Sequence, residues 1–184
     1  YLLGVDRLDY SKGIPERLRG FQRFLQLNPE HRERVSMMQV VVPSRETVGE
    51  YLDLKQEIEL LISRINGEYS TTRWVPVHWR YGSVSREELA ALYRGADMAL
   101  VTSLKDGMNL VCKEYCACKT DARGVLILSE FAGAAIQLAK GALLVNPYDV
   151  DAVASAIAEG LSMVEQERRR RMRWLRKTIA RNDV

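Results

Sequence analysis

The sequence has few of the residues that build disulfide frameworks, zinc sites and histidine-dependent triads: three cysteines and two histidines in 184 residues. The cysteines, Cys112, Cys116 and Cys118, fall within one predicted helix, and their odd number argues against a disulfide framework. No histidine or further cysteine lies at a spacing that completes a zinc set. His31 and His78 are isolated and indicate no triad. We therefore expect buried free thiols in a reducing compartment, no metal and no cofactor.

Long apolar runs and a strong charge bias are also missing. No run approaches the about 20 residues that a membrane-spanning helix needs. The first five residues run straight into polar sequence and predict a strand rather than a signal peptide. A net charge of +3 does not by itself indicate nucleic-acid binding. We therefore expect a cytoplasmic protein with neither a membrane nor a nucleic-acid partner.

Apolar strands and amphipathic helices alternate along the whole chain, which is 47% hydrophobic and suits one globular domain. Strands are predicted over residues 1–5, 37–42, 75–80, 98–102, 125–128 and 142–145. The longest helix is predicted over residues 46–65, closed by Asn66 and Gly67, and Ser85 with Glu88 predicts a capping box at another helix. Because no hairpin signal or repeat interrupts this order, we predict a single α/β domain over residues 1–184, with a doubly wound parallel sheet.

The stretch KDGMNLVCKE, residues 105–114, follows a predicted buried strand and leads into a helix. Backbone N–H groups and the helix dipole at such a position favour an anionic ligand. Asp106 can accept hydrogen bonds from hydroxyls, Gly107 allows close approach of the backbone, and Glu114 can bind both hydroxyls of a ribose. A structural interpretation stays open, with Asp106 as an N-cap, Gly107 as a turn residue and Glu114 as a solvated position.

Cations follow the first two predicted strands, at the sheet edge where open α/β proteins bind ligands. Arg7 and Lys12 lie in the loop after the first strand, and Arg45 follows the second. Structural alternatives stay open here too: Arg7 could pair with Asp9 beside a solvated Lys12, and Arg45 could cap a loop carbonyl.

The segment over residues 165–184 is rich in arginine. A basic helix of this kind can bind nucleic acid or an acidic surface. Because the cations surround Met172, Leu175 and Ile179 at helical spacing, we prefer an ordinary solvated helix face.

Six motifs occur together and in order: VDRLDYSKG (5–13), PSR (43–45), RING (64–67), DGMNLV with KEY (106–111 and 113–115), SEFAGA (129–134) and VNPYD (145–149). With them the chain resembles, over essentially its whole length, the carboxyl-terminal half of trehalose-6-phosphate synthases. These are retaining glycosyltransferases of the GT-B fold, with two Rossmann-like domains. The resemblance implies transfer of glucose from UDP-glucose, or another nucleotide-glucose, to glucose 6-phosphate. It also implies that this chain binds the donor and that its own amino-terminal acceptor domain lies outside it.

The resemblance implies a role for each matched residue. The catalytic residues would be Arg7, Lys12 and Asp106, and the donor site would comprise Arg7, Lys12, Asp106, Gly107, Met108, Asn109, Leu110, Val111 and Glu114. The two cations would hold the diphosphate, Asp106 the glucosyl hydroxyls, and Glu114 the ribose diol. Arg45 would reach the phosphate of the acceptor. The resemblance implies no metal and no pair of catalytic carboxylates.

Two residues depart from the family pattern. Ser103 stands where proline is expected, and Lys105 replaces the more usual arginine. Without the amino-terminal half, we expect this chain alone to turn over poorly or not at all. The oligomeric state is left open, a homo-oligomer included.

Three other functions stay open at this point. One is an enzyme like glucosylglycerol-phosphate synthase, which shares the donor domain and uses another acceptor. Another is a non-catalytic regulatory domain that binds a nucleotide sugar. The third is a nucleic-acid-binding module built on the arginine-rich segment.

Overall fold

In the computed structural model, which describes residues 1–43 and 49–182, strands and helices alternate as predicted. The strands are β1 (Leu2–Arg7), β2 (Met37–Val42), β3 (Val77–Tyr81), β4 (Met98–Val101), β5 (Val125–Ser129) and β6 (Leu143–Val145). The helices are α1 (Ile14–Leu27), α2 (Gly49–Tyr69), α3 (Arg86–Gly95), α4 (Leu110–Cys118), α5 (Ala135–Leu138), α6 (Val150–Ser162) and α7 (Glu165–Asn182). Short 3₁₀ turns lie at Tyr10–Lys12 and Pro29–His31. No helix in the described part of the chain is long and apolar enough to cross a membrane.

The six strands form one sheet in the order β3-β2-β1-β4-β5-β6, and every neighbouring pair is parallel. The chain therefore builds outward from β1 to β3 and then returns to the other side of β1 with β4. Loops that follow β1 and β4 diverge at this reversal and leave a crevice at the carboxyl edge of the sheet. The predicted doubly wound parallel sheet is confirmed.

Two apolar layers cover the two faces of the sheet. Successive residues of a strand face opposite sides, so Leu2 joins the layer under α1, α2 and α6, whereas Leu3 joins the layer under α3, α4 and α7. Phe21 and Phe24 of α1 are fully buried, with ring centroids 6.2 Å apart. Packing on both faces explains why the strands are almost continuous apolar runs.

The predicted end of α2 is wrong. Asn66 and Gly67 lie inside this helix, which continues to Tyr69. The side chain of Asn66 binds the backbone of Val77 in β3, donating to its carbonyl and accepting from its amide at 2.9 Å each. Asn66 therefore joins α2 to the sheet instead of capping the helix. The predicted first residues, 46–48, lie outside the described residues.

Other helix starts agree more closely with the sequence. Ser85 caps α3 by accepting a hydrogen bond from the Glu88 amide at 3.2 Å. The Glu88 carboxylate binds Arg80 and also interacts with the Ser85 backbone, as expected for a capping box. The helix into which residues 105–114 lead begins at Leu110, with Asn109 as its N-cap.

The arginine-rich helix α7 packs on the domain through buried Met172, Leu175 and Ile179. Several of its arginines bind carboxylates of the same helix, including Arg169 with Glu165 at 2.7 Å. These contacts agree with the predicted solvated helix face.

The three cysteines are free thiols, and the expectation of burial holds for Cys112 and Cys116 but not fully for the half-buried Cys118. Burial raises the pKa of Cys112 to about 12 and also raises that of Cys116. Both buried thiols therefore stay protonated, and hence unreactive, at neutral pH.

We expect a thiol reagent such as DTNB to modify one cysteine rapidly in the native chain at pH 8, because only Cys118 is accessible. The same reagent should modify all three in urea. Absorbance of the released thiol gives the count. Rapid modification of all three native thiols would contradict this account.

Candidate active site at the switch point

A cleft of about 340 Å³ opens between the loops that follow β1 and β4. Its walls are Val5, Asp6, Arg7, Lys12, Asp106, Met108, Asn109, Leu110 and Val111. Most of the donor site predicted from the sequence is therefore brought together at the reversal of strand order. Gly107 lies between two of the lining residues, whereas Glu114 lines a neighbouring groove.

The loop after β1 is a tight turn fixed by its own polar groups. Asp9 accepts hydrogen bonds from the amide and hydroxyl of Ser11, at 2.8 and 2.6 Å. Gly13 ends the turn with φ of 63°, and a Cβ there would lie 2.4 Å from the carbonyl oxygen of Thr102. The backbone carbonyl of Ser11 also accepts a hydrogen bond from the Leu104 amide at 2.7 Å. The two loops that form the cleft are therefore bound to each other.

Arg7 is the last residue of β1 and is exposed at the cleft. Its guanidinium makes no hydrogen bond or ion pair with any residue that the structure describes. The alternative pair with Asp9 is not formed, because Asp9 caps the turn over residues 10–12. Arg7 therefore offers its donors to a ligand.

Lys12 and Asp106 form an ion pair across the cleft, with Nζ and Oδ2 2.6 Å apart and both side chains largely buried. Asn109 donates to the same carboxylate at 3.0 Å. Burial alone would raise the pKa of Asp106, but the hydrogen bond and charge of Lys12 outweigh it and lower the pKa. Asp106 is thus ionised at neutral pH. It is not the N-cap of α4, because Asn109 occupies that position.

Asn109 is the N-cap of α4. Its Oδ1 accepts from the Cys112 amide at 3.4 Å, and its backbone has φ of 69°. The amides of Leu110 and Val111 have no intrahelical acceptor in this first turn. They line the cleft, so the positive end of the helix dipole faces a ligand there.

Ser103, one of the two departures from the family pattern, is fully buried in this network. Its hydroxyl accepts from Asn109 Nδ2 at 3.3 Å and donates to Asp106 Oδ2 at 3.4 Å. A serine therefore gives the Asp106 carboxylate a contact that proline could not supply.

The SEFAGA segment, residues 129–134, is hydrogen-bonded to the loop after β4 that forms one wall of the cleft. The Gly133 amide donates to the Asp106 carbonyl at 2.9 Å, and the Ala134 amide donates to the Met108 carbonyl at 3.1 Å. A Cβ on Gly133 would lie only 2.0 Å from the Gly107 carbonyl oxygen. Glycine is required at this position because the two loops approach so closely.

Glu114 lies one turn beyond Leu110 on the same face of α4. It lines a groove of about 410 Å³ between α3 and α4, and its Oε2 accepts from the Tyr93 hydroxyl at 2.9 Å. Arg45, the predicted ligand of the acceptor phosphate, lies outside the described residues.

A buried charge network below the cleft was not predicted from the sequence. Arg17 of α1 has no exposed surface, and its guanidinium forms an ion pair with Asp6 of β1. It also donates to Gln39 of β2 at 3.1 Å, to Thr102 after β4 at 2.9 Å, and to the Lys12 carbonyl at 3.3 Å.

One sequence signal could have found this network. Arg17 lies four residues before Phe21, on the apolar face of the first helix, where a charge is buried only if it is paired. Gly4 packs against this network and leaves no room for a side chain, since a Cβ there would lie 2.5 Å from the Arg17 guanidinium.

The described residues contain no group of three or more histidine, cysteine, aspartate or glutamate side chains arranged to hold a metal ion. The cleft itself presents cations, backbone amides and the ionised carboxylate of Asp106. Such an arrangement binds an anion with hydroxyl groups attached, as in a sugar phosphate.

The family model for glycosyltransferase family 20 matches residues 1–184. The chain belongs to glycosyltransferase family 20. It is 50% identical over 167 residues to the UDP-forming alpha,alpha-trehalose-phosphate synthase of Candida albicans, a match that covers 91% of this chain and 35% of that protein. This membership confirms the resemblance seen in the motifs.

Solved structures agree with the sequence comparison. The UDP-forming alpha,alpha-trehalose-phosphate synthase of Burkholderia xenovorans, in complex with glucose-6-phosphate, matches with a TM-score of 0.96 and 43% identity over 98% of this chain. An E. coli structure bound with UDP-2-fluoro glucose matches with a TM-score of 0.96 and 42% identity over 99% of this chain. The family 20 chain spans 40% of each of those two chains.

We expect Arg17→Ala to lower the free energy of unfolding by about 3–5 kcal/mol, because it leaves the Asp6 carboxylate buried without its partner. Urea denaturation measures the change. The control is Arg19→Ala two residues along the same helix, where the exposed side chain pairs with Glu57 and the expected loss is below about 1 kcal/mol. Equal effects of the two substitutions would contradict a buried ion pair.

Proposed function

We propose that this chain is the donor-binding domain of a retaining glycosyltransferase that transfers glucose from a nucleotide-glucose, with UDP-glucose as the preferred donor, to glucose 6-phosphate. The product would be trehalose 6-phosphate. One observation carries the proposal: Arg7, Lys12 and the amino end of α4 line one cleft at the switch point of a family 20 chain. The ligands of the solved relatives, glucose-6-phosphate and UDP-2-fluoro glucose, support it.

In this proposal the diphosphate of the donor lies between Arg7, Lys12 and the first turn of α4. The Lys12 ammonium has three N–H donors, of which Asp106 engages one. Two donors remain for phosphate oxygens, together with the amides of Leu110 and Val111 and the Arg7 guanidinium, which has no partner among the residues that the structure describes. The ligand therefore does not need to break the Lys12–Asp106 ion pair in order to bind.

The glucosyl group lies beside Asp106 and the backbone of residues 107–109. An ionised carboxylate accepts hydrogen bonds from sugar hydroxyls, and Lys12 and Asn109 hold this one in place. Since Lys12 contacts both Asp106 and the diphosphate, the two ends of the bond that breaks are positioned by one connected network.

During transfer the bond between the anomeric carbon and the diphosphate breaks, and its electron pair leaves with the diphosphate. The acceptor hydroxyl oxygen bonds to the anomeric carbon on the same face, and its proton passes to the departing phosphate. Negative charge on the leaving group grows in the transition state, so preorganised cations and amides accelerate the reaction.

The acceptor requires parts outside the described residues. We assign Arg45 to the acceptor phosphate and most of the acceptor pocket to an amino-terminal domain of the full-length protein. A cytoplasmic location belongs to the same proposal, supported by free cysteines. A homo-oligomer is compatible with it.

The proposal is tested by glucosyl transfer with the full-length protein. With UDP-glucose as donor, glucose 6-phosphate should be used and glycerol 3-phosphate should not, with the α configuration of the donor kept in the product. Anomeric configuration can be read by NMR. Transfer only to glycerol 3-phosphate would favour the related synthase, and nucleotide binding without transfer would favour a regulatory domain.

We expect Arg7→Ala and Lys12→Ala each to lower kcat/KM by about 30- to 1000-fold, equivalent to about 2–4 kcal/mol, with kcat falling as well as donor affinity. Each substitution removes a cation that stabilises the charge of the leaving group. Steady-state kinetics of the full-length protein measure the effect.

The matched control for this prediction is Arg123→Ala, which removes an exposed cation paired with Glu165 outside the cleft. It should leave kcat/KM unchanged. Wild-type turnover in Arg7→Ala and Lys12→Ala would mean that the cleft does not hold the diphosphate.

A further inference from the structure

The carboxylate of Glu114 is held by one buried phenol. The Tyr93 hydroxyl donates to Glu114 Oε2 at 2.9 Å, and the Tyr93 side chain is only 2% exposed. Among the described residues, no other hydrogen bond or ion pair reaches this carboxylate. Without Tyr93 the Glu114 side chain would be free to move in the groove, where Arg86 offers a competing positive charge.

Tyr93 is itself fixed. Its ring meets the ring of Tyr115 edge to face, with centroids 6.4 Å apart, inside the apolar layer under α3 and α4. Burial, and then the negative charge of Glu114, raise the pKa of Tyr93 well above its usual range. The hydroxyl therefore stays protonated and acts as a donor, so a buried ring sets the position of an exposed carboxylate.

The position of Glu114 relative to the cleft indicates what its carboxylate meets. Leu110 lines the cleft at the start of α4, and Glu114 follows it by one turn on the same helix face. A nucleotide whose diphosphate lies at that helix start can place its ribose over the next turn. Each carboxylate oxygen has two acceptor sites, so the bond from Tyr93 leaves room for both ribose hydroxyls.

We propose that Tyr93 is a positioning residue that orients Glu114 toward the ribose diol and so makes the site selective for ribonucleotide donors. The inference rests on the proposed function, since it needs a nucleotide at the start of α4. It adds a residue on α3 to a site otherwise built by the loops after β1 and β4 and by α4.

The test compares the affinities of UDP and 2′-deoxy-UDP, measured by calorimetry on the full-length protein. The wild type should bind UDP about tenfold or more tightly, because a hydrogen bond to a charged group is lost with the hydroxyl. Glu114→Ala should abolish this preference. Tyr93→Phe should reduce it about threefold or more and leave the affinity for 2′-deoxy-UDP almost unchanged.

Tyr115→Phe is the matched control. It removes a buried hydroxyl from the same aromatic pair, but that hydroxyl donates to the Asp97 carbonyl at 3.2 Å rather than to Glu114. Loss of this hydrogen bond should lower the melting temperature and leave the preference for UDP at the wild-type value. A purely structural role of Tyr93 predicts the same behaviour for Tyr93→Phe.

Each remaining outcome is decisive. A wild-type UDP preference in Tyr93→Phe, or an equal loss of affinity for both nucleotides, overturns the inference. If the wild type transfers glucose but does not distinguish the two nucleotides, the inference fails and the proposed function stands. If the wild type neither binds UDP nor transfers glucose, both fail.

Discussion

A single buried guanidinium holds together the segments that form the candidate site. Burying the charges of Arg17 and Asp6 costs several kcal/mol, which is offset only when the geometry and the accompanying hydrogen bonds are good. Gln39, Thr102 and the Lys12 carbonyl supply those bonds. Because these partners come from β1, β2 and the loops after β1 and β4, the ion pair can form only when α1 has packed in one position. The charge of Arg17 also neutralises that of Asp6, which lines the cleft.

Other side chains of the candidate site are also held in place by neighbouring segments. Lys12 pairs with Asp106, and the Asp106 carbonyl accepts from Gly133. Preorganised donors stabilise a developing charge without reorganising during the reaction. Glu114 is set in the same way by Tyr93. Arg7 is the exception, as an exposed cation that makes no contact of this kind with a described residue, and it is the group most available to an incoming phosphate.

The sheet could be predicted from the sequence because apolar runs and helical periodicity are local signals. Most cleft residues could be predicted because they belong to the matched motifs. Contacts between distant residues could not be predicted in the same way. Lys12 and Asp106 are 94 residues apart, and Arg17 meets Asp6 only after α1 packs on the sheet. The end of α2 was missed for a related reason: Asn66 is typical of a helix end, but its amide binds β3.

The central claim is that the cleft at the switch point binds a nucleoside diphosphate through Arg7, Lys12 and the start of α4. Calorimetric titration of the full-length protein with UDP, GDP and ADP, repeated on Arg7→Ala, tests it most directly. The account predicts that UDP binds in preference to the others and that Arg7→Ala weakens binding by about tenfold or more, the loss expected for a hydrogen bond to a charged group. Absence of binding by the folded protein, or equal binding by Arg7→Ala, would contradict it.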